Sequence, residues 1–88
     1  MRSLEYTIND ENGIHARPAG IIVSAAKKFI CSITIQIVGK EKNVDAKKLF
    51  AVMGMGAAKG DVLKFTAEGA DEAEALLKLE AEMRSAGL

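Results

Sequence analysis

Residues 12–20 read Asn12-Gly13-Ile14-His15-Ala16-Arg17-Pro18-Ala19-Gly20, a turn-forming loop running into a proline-led helix. Pro18 suits the first turn of a helix, where its missing N–H costs nothing. Downstream of it, Ala19, Ile22, Val23, Ala26 and then Phe29 or Ile30 recur at the spacing of one helical face. Upstream, Asn9-Asp10-Glu11-Asn12-Gly13 is a run of turn formers. Before that run, Leu4, Tyr6 and Ile8 alternate with Ser3, Glu5 and Thr7, the period of a half-buried strand. The stretch is therefore a strand–loop–helix junction.

Working outward, Ile33, Ile35 and Ile37 alternate with Ser32, Thr34 and Gln36 as a second strand. Val38-Gly39-Lys40-Glu41-Lys42 turns the chain into a short third strand around Asn43–Asp45. Residues 47–53 read as a short helix ended by Gly54 or Gly56, and Leu63, Phe65 and Ala67 mark a fourth strand. Asp71 with Glu74 three residues on has the form of a capping box for a last helix. Ala75, Leu76, Leu79 and Met83 give that helix its apolar face, and Gly87 stops it. The order strand, helix, strand, strand, helix, strand, helix predicts an α+β fold, with helices on one face of a mainly antiparallel sheet. With 88 residues, no repeat and no linker, the chain reads as one domain over 1–88. The order of the strands in space stays open.

Composition narrows the function. Twelve basic and twelve acidic residues cancel. A nucleic-acid binder draws its affinity largely from a basic excess, so that role is not expected. The apolar runs are far short of the roughly 20 residues that span a bilayer, and Met1-Arg2-Ser3-Leu4-Glu5 lacks a signal-peptide pattern. The single cysteine cannot form an internal disulfide, so a cytoplasmic domain without membrane insertion is expected. Cys31 reads as a small buried apolar residue, and one His with one Cys makes no metal site. Gly54-Met55-Gly56-Ala57-Ala58-Lys59-Gly60 lacks the Gly-Lys-Ser/Thr ending of a nucleotide loop. No cofactor is implied. Glu72, Glu74, Glu80 and Glu82 read as the solvated face of the last helix.

One constellation carries chemistry. His15 is the only histidine, and it stands at the start of the first helix. The first N–H groups of a helix have no partner inside it, and that end favours an anion. Arg17 adds a charge and a planar fork suited to phosphate oxygens. A neutral imidazole is a good nucleophile, and an unperturbed one is largely neutral at cytosolic pH. Nucleophile and anion cradle coincide here.

The segment Gly-Ile-His-Ala-Arg-Pro-Ala resembles the active-site signature of HPr, the histidine-containing phosphocarrier of the bacterial sugar phosphotransferase system. The resemblance extends through Lys47–Gly56 and Ala67–Glu72 to essentially the whole chain. It implies an open-faced sandwich of four antiparallel strands and three helices, acting as a monomeric carrier rather than as an enzyme with its own turnover. His15 would take a phosphoryl group from enzyme I, which draws it from phosphoenolpyruvate, and pass it to a sugar-specific enzyme IIA. In the family the phosphate is carried on Nδ1, beside backbone N–H groups, here those of Ala16 and Arg17. Arg17 would steady it and Pro18 would fix the start of the helix. Ala16, Gly20, Leu49, Phe50 and Met53 fall where the family docks its partners. For Leu49, Phe50 and Met53 the competing reading is plain core packing.

Two departures from the family pattern stand out. Many members have a regulatory serine, phosphorylated by a dedicated kinase, where this chain has Lys48. A lysine escapes that modification and has the wrong sign to mimic it. The turn at Gly39–Lys42 is about two residues longer than usual, which surface turns tolerate. Other functions remain open beside sugar uptake: a carrier for a nitrogen-linked or regulatory branch, and a regulatory module that carries no phosphate. Retention of His15 and Arg17 speaks against the last. An acylphosphatase-like hydrolase would need an Arg–Asn pair that Asn9, Asn12 and Asn43 do not clearly supply.

Overall fold

Residues 1–88 are described by a computed structural model. The alternation read from the sequence becomes four strands: β1 (Arg2–Thr7), β2 (Ser32–Ile37), β3 (Asn43–Asp45) and β4 (Val62–Glu68). The helical segments become α1 (Ala16–Ala26), α2 (Leu49–Met53) and α3 (Glu72–Ser85). The strands form one sheet in the order β1-β4-β2-β3, and every neighbouring pair is antiparallel. β4, the last strand in sequence, thus lies between β1 and β2.

Register follows from which face must be dry. Leu4 pairs with Phe65, Phe65 with Ile35 and Ile35 with Val44, an apolar row across all four strands. One residue along, Glu5, Lys64, Gln36 and Asn43 make the matching polar row on the open face. The helices cover the apolar face. α3 packs on α1 and on β1 and β4, and α2 packs on α1 and β3. Phe65, Ile35, Ile22, Leu63 and Leu79 are completely buried in the core between the layers. Cys31 is buried too, and burial, with the carboxylate of Asp71 beside it, pushes its thiol pKa up.

Three local expectations need correction. The helix expected over 47–53 starts only at Leu49, because Asp45 takes the amides of Lys47 (Oδ1, 2.9 Å) and Lys48 (backbone oxygen, 3.1 Å) into a turn. α1 stops at Ala26, and the next three amides reach back only to Val23, Ala25 and Ala26. Phe29 packs partly against the core, whereas Ile30 is 84% exposed. The capping box at Asp71 does not form. Asp71 has φ −103° and ψ 21°, and its carboxylate makes no cap bond to α3. Instead it accepts the N–H groups of Ile30 (2.9 Å) and Cys31 (3.0 Å), joining the start of α3 to the start of β2. Glu72, not Glu74, reaches back, accepting the Gly69 N–H at 3.1 Å.

The far end of α3 follows expectation. Gly87 takes φ +79°, its N–H bonds the carbonyl of Arg84, and the Leu88 N–H bonds that of Met83. That pair of bonds is a Schellman closure, and Leu88 is buried as its apolar contact. The Leu88 carbonyl accepts the Asn9 N–H at 2.6 Å, which ties this end to the loop preceding α1.

Candidate functional site

The loop from β1 to α1 is held at three points. Gly13, at φ +64°, donates its N–H to the carbonyl of Asp10 and closes a turn. Ile14 is buried and donates its N–H to the Ala57 carbonyl at 2.9 Å. Lys59 Nζ reaches Glu11 Oε1 at 2.6 Å. The segment between α2 and β4, which the sequence marks only as a loop, therefore braces the loop that leads into α1.

His15 is the N-cap of α1, with extended backbone (φ −114°, ψ −163°), yet its ring makes no capping hydrogen bond. Its side chain is 39% exposed, so the imidazole is reachable from solvent. The carbonyl of His15 accepts the Ala19 N–H, the first bond of the helix. Pro18 is buried and has no N–H to offer. The N–H groups of Ala16 and Arg17 bond to nothing within the chain, as expected for a first helical turn. An anion held beside the ring has these two donors and the helix end to meet it.

The sequence reading missed a fourth group, Asp10. Its Oδ2 lies 3.2 Å from Arg17 Nη2 and 3.9 Å from His15 Nε2, while its Oδ1 accepts the Asn12 N–H at 2.9 Å. The first is a charge-assisted hydrogen bond; the second is too long for one. Asp10 is only 13% exposed, whereas Arg17 is 55% exposed. The carboxylate is the enclosed, hydrogen-bonded partner and the guanidinium the exposed one. In the sequence Asp10 is simply one more turn former; an Asx turn close to Arg17 is the signal available there.

Around these groups, Ala16, Arg17 and Gly20 line a shallow depression on α1 of about 410 Å³, together with Ser24 and Lys28. A β-carbon at Gly20 would meet nothing within 4 Å, so packing does not demand a glycine there. On α2, Phe50 is 83% exposed and Leu49 38%, while Met53 is half-buried against the core. Core packing therefore accounts for Met53 in part and for Phe50 not at all. Lys48, the N-cap of α2, is exposed and makes no cap bond.

Known proteins share this fold. The family described as "PTS HPr component phosphorylation site" matches residues 2–85. The histidine-containing phosphocarrier protein of Mycoplasma superposes with a TM-score of 0.93 at 31% identity, covering 99% of this chain and 97% of that one. HPr of Thermoanaerobacter tengcongensis gives 0.87 at 36% identity over 97% and 93% of the two chains. The phosphocarrier protein HPr of Bacillus anthracis gives 0.81 at 33% identity over 92% and 94%. Open sandwich and matches together define a phosphocarrier protein of the phosphotransferase system rather than an independent enzyme. The chain belongs to the HPr family.

Proposed function

We propose that His15 accepts a phosphoryl group from enzyme I and passes it to an enzyme IIA during sugar uptake, in the bacterial cytoplasm, with residues 1–88 acting as one monomeric domain. The observation that carries this reading is a solvent-reachable imidazole at the N-cap of α1, beside two unpartnered amides and the guanidinium of Arg17. All of these groups come from one chain. In the transfer, Nδ1 of His15 attacks phosphorus while the bond from phosphorus to the donor breaks, leaving its electron pair on the donor. The amides of Ala16 and Arg17 and the Arg17 side chain meet the roughly −2 charge that arrives. None of them is buried deeply enough to hold it irreversibly, as a carrier requires.

No helix is long and apolar enough to cross a membrane. Ala16, Gly20, Leu49 and Phe50 form the partner-docking surface in this reading, with Met53 supporting it from below. Lys48 leaves the carrier without the serine-kinase control common in the family.

The test is incubation with enzyme I and labelled phosphoenolpyruvate. The expected result is acid-labile, base-stable label that is lost in His15→Ala. No label with an active enzyme I would overturn the reading.

A further inference from the structure

His15, Arg17 and two amides carry the proposed transfer, and Asp10 has no part in it. Yet a nearly buried carboxylate is an unusual neighbour for a site that must receive a dianion, since like charges this close repel. Its geometry explains how the two coexist. Oδ1 is committed to the Asn12 N–H, which fixes the carboxylate in the loop, and Oδ2 is turned toward Arg17 Nη2 at 3.2 Å. The Arg17 guanidinium, more than half exposed, is the part free to move.

We propose that Asp10 is a positioning residue that holds Arg17 in a neutral pair until an incoming phosphoryl group draws the guanidinium away. This deepens the phosphocarrier reading and rests on it. Before transfer, the pair cancels the Arg17 charge and keeps the guanidinium from binding stray anions over the imidazole. After transfer, Asp10 stays as a competitor for Arg17 and a like charge near the phosphoryl oxygens, so the group is held loosely and handed on.

The test uses inorganic phosphate as the anion and needs no partner protein, so it is independent of whether enzyme I labels the chain. Phosphate is titrated into the wild type, Asp10→Asn, Arg17→Ala and the double variant, following the amide resonances of Ala16 and Arg17. Asn keeps an oxygen for the Asn12 N–H, so the loop brace survives and the Asn12 amide resonance reports it. Asp10→Asn is expected to tighten phosphate binding about threefold to fivefold. In the Arg17→Ala background the same change should gain less than about twofold, because the competition has been removed. Unchanged or weaker binding in Asp10→Asn, with the Asn12 resonance in place, overturns the proposal. So does equal tightening in both backgrounds, which would mean plain repulsion without Arg17. No response of these amides in any protein overturns the anion cradle and the proposal with it.

Discussion

Gly13 and Ala57 touch so closely that a β-carbon built on Gly13 would sit 2.3 Å from the Ala57 carbonyl oxygen. Both the space and the dihedral, φ +64°, demand glycine here. Gly13→Ala must adopt a left-handed conformation, costing about 1–2 kcal/mol before the clash is counted. It should also push apart the Ile14–Ala57 hydrogen bond that orients the His15 loop. We expect a lower urea midpoint together with slower phosphoryl transfer. A wild-type midpoint would show that the loop yields without strain.

Removal of the Arg17 side chain tests the site apart from the fold. The side chain is exposed and makes one ion pair. Arg17→Ala should move stability by no more than about 0.5 kcal/mol. Transfer from enzyme I should slow by about tenfold or more, as expected when a charge-assisted contact to the phosphoryl group is lost. Unchanged transfer kinetics would remove Arg17 from the site.

Phe50 and Phe65 make a contrasting pair, 83% exposed and fully buried respectively. Phe65→Ala should cost about 3–5 kcal/mol. Phe50→Ala should leave stability within about 0.5 kcal/mol, yet raise the KM for transfer with enzyme I while the plateau rate stays put. A KM that does not respond would mean that Phe50 faces water for some other reason.

The proposed absence of serine-kinase control at Lys48 yields a gain-of-modification test. Incubated with an HPr kinase and labelled ATP, the wild type should stay unlabelled, and Lys48→Ser should acquire label. Label on any residue of 47–54 in the wild type would refute the loss of that control.

Acid stability probes the Asp71 tie. The amide of Ile30, then the Cys31 side chain and amide, hold the Asp71 carboxyl below the usual aspartate range despite some opposing desolvation. A carboxyl depressed in the folded state contributes stability above its unfolded pKa and loses it as pH falls through the folded value. Stability should therefore decline below about pH 4, and Asp71→Asn should flatten that decline while lowering stability at pH 7. Urea midpoints measured across the acid range decide; parallel curves for the two proteins would exclude Asp71 as a source.

Much of this was legible in the chain. Ile33, Ile35 and Ile37, and Leu63, Phe65 and Ala67, alternate cleanly because one face of their strands is dry, and that periodicity survives in a linear string. His15, Arg17 and Pro18 could be placed together because a helix start is a local event. The unread parts are long-range. Asp71 could be recognised as a capping residue type, but its carboxylate bonds amides 40 and 41 positions away, which no spacing rule reports. Asp10 failed for a related reason. Its pairing with Arg17 spans a loop–helix junction, where no fixed period relates one side chain to the next. The strand order was beyond reach because each antiparallel pairing satisfies the same alternation.

That strand order has a consequence for how the molecule is made. The first and second strands to leave the ribosome do not hydrogen-bond to one another; β2 can pair with β3 as soon as that emerges, whereas β1 waits for β4 to fill the gap. A nascent chain can complete no pairing of β1 until residues beyond 60 emerge, so the sheet closes late and through contacts distant in sequence. The proposed acceptance of phosphate at His15 would wait as well, since the Ala57 carbonyl that anchors Ile14 arrives only just ahead of that final strand.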